Sequence, residues 1–196
     1  MTLQHTTHTP LAGLRLGFTI IELMVVVVIV GIMMSIVVPR MRISEATEVS
    51  LAGMQLAQDM DLARTRALST RNRARVTFTT GATPKYVGYL DTDGDSTITQ
   101  TDDEMYALQG FATRALPTRV DYGRGSATAV PNTTGSGAIT FDNSRVEFDS
   151  RGLPTPMGTA GVVYLVHQRD PNAVMAIQLS PSGSVRIWTW QDGAWK

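Results

Sequence analysis

An acidic segment near the middle of the chain has the residue types and spacing of a calcium-binding loop. Carboxylates occupy the first, third, fifth and twelfth places of a twelve-residue stretch, at Asp91, Asp93, Asp95 and Asp102. Oxygen ligands at these offsets are those of an EF-hand loop, in which the seventh place, here Thr97, contributes a backbone carbonyl. The pattern therefore predicts a Ca²⁺ site, and calcium is the one cofactor that the sequence suggests.

Two departures from that pattern leave a second interpretation open. Ser96 stands where the calcium loop needs a glycine for its sharp turn, and Asp102 is shorter than the usual bidentate glutamate. The flanking stretches, Tyr86–Leu90 and Met105–Gly110, are typical of β-strands and not of the two helices of an EF-hand. The segment is either a calcium loop or a solvated acidic turn, because Asp and Gly also favour turns on backbone grounds alone.

Arginines form the one basic cluster of the chain. Five of them lie within twelve residues that contain no acid: Arg64, Arg66, Arg71, Arg73 and Arg75. Phosphate binding requires several converging cations, so this cluster, extended by Arg186 if the fold brings it near, predicts a contact with DNA. Trp188, Trp190 and Trp195 offer surfaces for base stacking, although core packing is the commoner fate of tryptophans on strands.

The composition excludes most enzyme classes. The chain of 196 residues has no cysteine, three histidines and a formal net charge of zero, with 17 basic and 17 acidic residues. Thiol chemistry and a histidine-rich metal centre are therefore ruled out. No nucleophile–base pair, phosphate loop or dinucleotide fingerprint is present either. We predict that the protein is not an enzyme and has no small-molecule substrate.

An apolar run from Phe18 to Val38 contains twenty-one residues, of which only Glu22 is charged. As a helix it would be roughly 31 Å long, which matches the hydrocarbon thickness of a bilayer. A carboxylate inside such a helix costs about 2.5–3.5 kcal/mol and so requires a partner or a function. The run ends in Val37–Arg40, without the small residues of a signal-peptide cleavage site. We therefore predict a transmembrane helix over residues 18–38 that the mature protein keeps.

The helix pattern continues beyond the apolar run. Apolar residues at three- and four-residue spacing form a stripe of Val49, Ala52, Leu56, Met60, Ala63 and Ala67. This spacing predicts an amphipathic continuation over residues 39–72, giving one helix over 18–69 that packs on the following domain. Gly31 and Gly53 are its weak points, and Asn72 is a plausible end.

From residue 73 to residue 196 the pattern changes to that of strands. Short β-branched and aromatic stretches alternate with turn residues, at 75–80, 86–90, 105–110, 120–123, 139–141, 146–148, 162–167, 174–179 and 185–190. The predicted fold is α+β, with a long N-terminal helix packed on an antiparallel, sandwich-like β domain. Residues 124–137 are predicted to form a flexible surface loop. Asp149 and Gly152 are predicted to form a turn, with a positive φ at the glycine.

The start of the apolar run carries a family resemblance. The stretch Gly17–Glu22, GFTIIE, resembles the type III signal of type IV prepilins and type II secretion pseudopilins. The resemblance implies that residues 1–17 are a leader, that prepilin peptidase cuts between Gly17 and Phe18, and that Phe18 is then N-methylated. It also implies that Glu22 neutralises the N-terminal ammonium of a neighbouring subunit in a fibre. Pro39 lies where this family often carries a helix-loosening proline.

Three later segments narrow the resemblance. Leu62–Ala67, Phe148–Pro154 and Ser182–Ile187 are similar to the GspH/FimT group of pseudopilins and minor pilins. This resemblance implies a structural subunit with a single span in the bacterial inner membrane. Its β domain would lie in the periplasm or on a pilus or pseudopilus, in contact with other pilins and placed at the tip. Whether the fibre is a type IV pilus, a type II secretion pseudopilus or a competence apparatus stays open.

The alternative is a tip module that binds DNA or an exported substrate. Some members of the group bind DNA through a Gly-Arg-x-Arg motif near the C-terminus. The matching stretch here is Gly183–Arg186, with Ser184 in the place of the first arginine.

Overall fold

The structure is a computed structural model that describes residues 18–40 and 44–196, with side chains over 18–35 and 44–196. The chain divides into two compact units, residues 1–42 and 43–196. The described part of the first unit contains one helix, α1, at Ile20–Arg40. None of the helices within the described ranges combines the length and the apolar character needed to cross a bilayer.

The second unit begins with helix α2 at Glu45–Thr70. Ser44 precedes it in an extended conformation, with ψ 150°, and its hydroxyl accepts a hydrogen bond from the Thr47 N–H at 3.3 Å. The helix ends at Arg71, which has a φ of 59°. The prediction of one uninterrupted helix over 18–69 is therefore wrong at Ser44, because its side chain caps the free N–H groups of a new helix.

Within the described ranges, ten strands form two five-stranded antiparallel sheets. The first sheet has the order β3-β2-β1-β5-β6 and the second the order β10-β9-β8-β7-β4. In chain order the strands are β1 Ala74–Thr79, β2 Lys85–Leu90, β3 Thr113–Ala115, β4 Val120–Tyr122, β5 Arg145–Phe148, β6 Pro154–Thr155, β7 Gly161–His167, β8 Asp170–Leu179, β9 Val185–Gln191 and β10 Ala194–Trp195. The predicted α+β architecture, a helix packed on antiparallel sheets, is confirmed.

The core lies between α2 and the two sheets. All six residues of the predicted stripe on α2 are buried, and they pack with residues of both sheets in one cluster. Gly53 belongs to the same buried face, where a Cβ would overlap the Sδ atom of Met175 on β8. Gly53 is therefore a position at which α2 approaches the sheet closely and not a weak point of the helix.

The strand predicted at Met105–Gly110 is wrong, because the chain forms helix α3 at Asp102–Ala107. The Thr101 hydroxyl accepts from the Glu104 N–H, and the Glu104 carboxylate accepts from the Thr101 N–H, which is a capping box. Three acidic residues in the first turn favour the helix further through its dipole. The strand predicted at 139–141 is reduced to a single bridge from Ile139 to Val163.

The stretch 124–137 contains no strand, as predicted, but it is not a free surface loop. Val130 is buried, and its N–H donates to the hydroxyl of Tyr164 at 3.0 Å. Trp195 donates from its indole nitrogen to the Thr128 carbonyl at 3.1 Å. The stretch therefore covers the outer face of the second sheet, where Tyr164 and Val130 belong to a second apolar cluster.

Candidate functional sites

The first candidate site is the start of α1. The Thr19 carbonyl accepts from the Leu23 N–H at 3.1 Å, and the Thr19 hydroxyl accepts from the Glu22 N–H at 3.3 Å. Thr19 is thus the N-cap, and Glu22 lies in the first turn, where the helix dipole favours a carboxylate. The residues GFTIIE place a cap and an acid at one helix end. This cap was not predicted, although the Thr-x-x-Glu spacing is a sequence signal for it.

The other residues of the processing signal are only partly described. Phe18 is described, and its side chain is 83% exposed. Gly17 lies outside the described residues, and Pro39 lies within α1 with a side chain outside them. Cleavage after Gly17, methylation of Phe18 and the role of Pro39 therefore stay predictions.

The second candidate site is the acidic loop after β2. The structure brings together Asp91, Asp93 and Asp95, which can each offer a carboxylate oxygen within 4.8 Å of the others. Asp91 is buried and accepts from the Gly94 N–H at 2.8 Å and the Ser96 N–H at 3.0 Å. Hydrogen bonds, first among them that from the Asp95 N–H, lower the pKa of Asp93 below its usual value. These three carboxylates are the part of the predicted calcium set that the fold collects.

The remaining members of that set lie outside this group of three carboxylates. The Thr97 N–H donates to Asp95 at 2.6 Å. Asp102 is the first residue of α3 and is not part of the three-carboxylate group. Ser96 adopts a φ of 65°, so the chain makes the turn that the calcium loop requires with a residue other than glycine. The calcium site stays a prediction, now centred on Asp91, Asp93 and Asp95.

Glu104 is the buried carboxylate beside this loop. It accepts from the N–H groups of Thr99 and Thr101, both at 3.1 Å. Burial alone raises the pKa of Glu104, but these hydrogen bonds outweigh it, so the pKa lies below its usual value. The Glu104 carboxylate thus holds the end of the loop against the start of α3.

The predicted basic cluster does not form one free surface. Arg75 is buried, contacts Glu147 at 2.9 Å and donates to the Ile98 carbonyl at 3.0 Å. Arg66 has a buried Nε without a partner among the described residues. Arg186 lies over the ring of Trp188 at 5.5 Å. The Arg75 guanidinium is therefore not available to a phosphate.

Arg71 and Arg73 line a depression of about 330 Å³. Arg151 lines it as well, together with two carboxylates, Asp91 and Asp149. Asp149 also contacts Arg151 at 2.9 Å. Because two carboxylates offset two of the three arginines, this depression has only a small excess of positive charge, whereas a phosphate backbone requires several converging cations.

Arg64 is the point at which the three subgroup segments meet. Its Nε donates to the carbonyl oxygen of Gly152 at 3.0 Å, and a Cβ on Gly183 would lie 3.0 Å from the same nitrogen. Gly152 has a φ of 69°, and Asp149 accepts from the Leu153 N–H across the turn, so the predicted turn is confirmed. The segments that carried the resemblance thus form one structural junction.

A buried polar network on α2 was missed by the sequence analysis. Asp59 is 3% exposed and accepts from the Tyr86 hydroxyl at 2.7 Å and from Nε of Arg114 at 2.6 Å. Burial, together with the hydrogen bond to Asp59, raises the pKa of Tyr86 far above its usual value. A charged residue between Leu56 and Met60 on the core face of the helix was the signal that pointed to such a network.

Comparisons with known proteins concern two parts of the chain. A family profile described as type II transport protein GspH matches residues 52–183. A second profile, described as the prokaryotic N-terminal methylation motif, matches residues 14–38. No curated protein sequence matches the chain significantly.

Among solved structures, the type IV minor pilin FimU of Pseudomonas aeruginosa PAO1 is similar, with 10% identity and a TM-score of 0.46. The match covers 71% of this chain and 87% of that one. The minor pseudopilin EpsH of the Vibrio cholerae type 2 secretion system is similar with 12% identity and a TM-score of 0.48, over 75% and 99% of the two chains.

Proposed function

This chain belongs to the type II transport protein GspH family, and on that basis we propose that it is a structural subunit of a type IV pilus or a type II secretion pseudopilus. The resemblance to pseudopilins and minor pilins is confirmed by the family profile and by the N-terminal methylation motif. The family consists of structural subunits, so the prediction that the chain is not an enzyme is also confirmed.

The exposed apolar surface of α1 is the observation that carries the proposal. Its large apolar side chains, from Ile20 to Met34, are between 47% and 81% exposed within the chain itself. A helix that is apolar on all sides needs an apolar environment, which a bilayer supplies before assembly and neighbouring helices supply in a fibre. We propose that residues 18–38 anchor the precursor in the inner membrane, with the second unit in the periplasm or on the fibre surface.

Glu22 gives this helix a specific role in assembly. Cleavage after Gly17 would leave the ammonium of Phe18 at the start of α1, next to the first helical turn. Two opposite charges are each unfavourable in an apolar environment and tolerable as a pair. We propose that Glu22 of each subunit pairs with the Phe18 ammonium of a neighbour, and that the subunit occupies the fibre tip.

Processing is tested first, in cells that express prepilin peptidase. We expect the mature chain to start at an N-methylated Phe18, as read by mass spectrometry of the intact protein. Gly17→Trp should leave the leader attached, whereas the matched change Gly13→Trp within the leader should be processed. A Gly17→Trp chain that is cleaved normally would refute the processing signal.

Assembly is tested with the processed chain. Glu22→Ala should insert into the membrane but lose most of its incorporation into sheared fibres, measured by immunoblot against the membrane fraction. Glu45→Ala is the control, because Glu45 is also an exposed acid in the first turn of a helix. Gold-labelled subunits found along the whole fibre would exclude a tip location without affecting the family.

The alternative, a tip module that binds DNA or an exported substrate, has less support. Of the six arginines in the DNA prediction, Arg75 is in a buried ion pair and Arg64 is hydrogen-bonded to the main chain. The depression near Arg71 and Arg73 also contains two carboxylates. We therefore place the structural role first and keep DNA binding as a separate hypothesis with its own test.

A further inference from the structure

Strand β9 has an unpaired side over its first half. It pairs with β8 along five residues, from Leu179 opposite Val185 to Met175 opposite Thr189. On its other side β10 pairs only with Trp190 and Gln191. Beyond that, Thr189 exchanges two backbone hydrogen bonds with Lys196, both at 3.0 Å.

The orientation of Thr189 fixes the direction of its neighbours' backbone groups. Along an antiparallel strand, the N–H and C=O of one residue point to the same side, and successive residues alternate. Because Thr189 points toward Lys196, Ile187 and Val185 also point away from β8. In the described part of the chain, no backbone hydrogen bond satisfies these two N–H and two C=O groups.

The other strands with an open side in the described sheets are short. Strands β3 and β4 have three residues each, and β6 and β10 have two. A short edge offers too few groups to template a further strand, which is how sheet proteins protect their edges. Strand β9 has seven residues, and its segment from Val185 to Trp188 lacks this protection.

A cleft beside this edge selects the type of side chain that can enter. Val185 and Ile187 line it on the β9 side and Met54 and Ala57 on the α2 side, around a volume of about 260 Å³. Met54 is 45% exposed and Ile187 is 39% exposed, although both are apolar. An apolar side chain placed in the cleft would remove this surface from water.

The rim of the cleft carries one carboxylate. Asp61 lines it and is exposed, and it makes no salt bridge within residues 44–196. A carboxylate at the border of an apolar cleft favours a ligand with a basic side chain beside its apolar one.

We propose that the open edge of β9 binds an extended segment of a partner protein as an additional strand. The segment supplies N–H and C=O groups to Val185 and Ile187, an apolar side chain to the cleft, and a lysine or arginine to Asp61. Main-chain pairing provides the affinity, while the cleft and Asp61 provide the specificity. The inference concerns the second unit alone and holds whether or not the chain assembles into a fibre.

The test uses the full-length, ¹⁵N-labelled chain in detergent micelles and a defined probe. The probe is the capped heptapeptide Thr-Lys-Thr-Val-Thr-Lys-Thr, in which the valine and the two lysines share one face of the strand. Its binding is followed by NMR. We expect the Val185 and Ile187 amide signals to shift and their hydrogen exchange to slow. The same peptide with glutamate in place of lysine, or with alternate amides N-methylated, should bind at least about tenfold more weakly, a difference of about 1.4 kcal/mol.

Two variants locate the site. Ile187→Pro removes an edge N–H but none of the bonds to β8, so the fold should persist while affinity for the peptide falls at least about tenfold. Asp61→Asn should weaken binding several-fold, and Asp103→Asn, a similarly exposed acid on α3, should not. Unperturbed Val185 and Ile187 signals, equal affinity of the folded Ile187→Pro chain, or the same shifts from self-association without peptide would each overturn the proposal.

Discussion

Arg64 on α2 donates from Nε to the carbonyl oxygen of Gly152, at 3.0 Å and across 88 residues of sequence. The bond joins the C-terminal half of the helix to the turn after β5. The loop between β8 and β9 packs on the same atoms, because a Cβ on Gly183 would lie 2.8 Å from the Gly152 oxygen. The arrangement ties helix α2 to both sheets at one point.

Removing this contact should destabilise the second unit. Arg64→Ala leaves the Gly152 carbonyl without its partner, and a hydrogen bond from a charged donor contributes about 1.5–3 kcal/mol. We expect the lower part of this range for the half-buried Arg64, measured as the free energy of unfolding of the full-length chain in urea. Arg71→Ala, at an exposed arginine past the end of α2, is the control. Equal unfolding midpoints for the two variants would contradict the role of Arg64.

The close approach of α2 to β8 gives a second prediction. Gly53→Ala places a methyl group against Met175, and overpacking of a core costs about 1–3 kcal/mol, more than the gain in helix propensity. The unfolding midpoint should fall, and the losses from Gly53→Ala and Met175→Ala should be less than additive in the double variant, because the smaller side chain makes room for the methyl group. Gly31→Ala is the matched control, since a Cβ there meets nothing within 4 Å. A stabilised Gly53→Ala chain would show that the helix stands further from the sheet.

The capping box of α3 makes a pH-dependent contribution. The pKa of Glu104 is lowered in the folded state, so its contribution is present above the unfolded value of about 4.3 and is lost as the pH falls through the lower folded value. Glu104→Gln should lower the free energy of unfolding by about 1 kcal/mol at pH 7. The loss should vanish at pH values at which Glu104 of the parent chain is protonated in both the folded and the unfolded state. Urea unfolding at a series of pH values measures the difference. Asp103→Asn should show no comparable loss, and a pH-independent cost of Glu104→Gln would contradict the prediction.

Calcium binding is tested by comparing variants at two carboxylates of the acidic loop, Asp93 and Asp102. We expect Ca²⁺ to raise the thermal unfolding midpoint of the full-length chain and to bind in calorimetric titration. Asp93→Asn should abolish both effects, because it removes one of the three clustered carboxylates. Asp102→Asn should preserve them, because Asp102 starts α3 outside this group. A folded parent chain that neither binds Ca²⁺ in the titration nor unfolds at a higher temperature in its presence would rule out the site.

DNA binding by the full-length chain should be weak and only mildly salt-dependent. Among the six predicted arginines, Arg75 is in a buried ion pair, Arg64 is hydrogen-bonded to a main-chain carbonyl and Arg66 has a buried Nε. Arg71, Arg73 and Arg186 are left, so we expect contacts with about three phosphates. The logarithm of the binding constant should then fall with the logarithm of salt with a slope no steeper than about −3. Fluorescence anisotropy with duplex DNA measures it. A slope near −6 would favour the DNA-binding alternative and make Arg71→Ala the first variant to examine.

Local patterns were sufficient for the elements whose signal lies within a few turns or strands. The six-residue stripe of α2 is set by helical periodicity, and each of its members is buried. The GFTIIE stretch and the apolar run after it identified the methylation motif without any structure. The turn at Asp149 and Gly152 also follows from local chemistry, because an Asx side chain and a positive-φ glycine need no distant partner.

Short-range competition explains the errors. Residues 105–110 have the composition of a strand, but the capping box of Thr101 and Glu104 lies just before them and starts a helix. Ser44 likewise ends the helical continuity that the apolar periodicity suggested. In both cases a side chain that satisfies free backbone N–H groups outweighed a weak propensity.

The sequence by itself determined the apolar first helix, the α+β class and the family, because these depend on period, run length and contiguous motifs. Tertiary structure alone decided which charges are used internally. Asp59 accepts hydrogen bonds from Tyr86 on β2 and Arg114 on β3, and Arg75 on β1 forms an ion pair with Glu147 on β5. Such pairs depend on which strands become neighbours, and strand order is a property of the whole packed core. The open side of β9 arises in the same way, because the pairing of all the other strands decides which strand side stays unpaired.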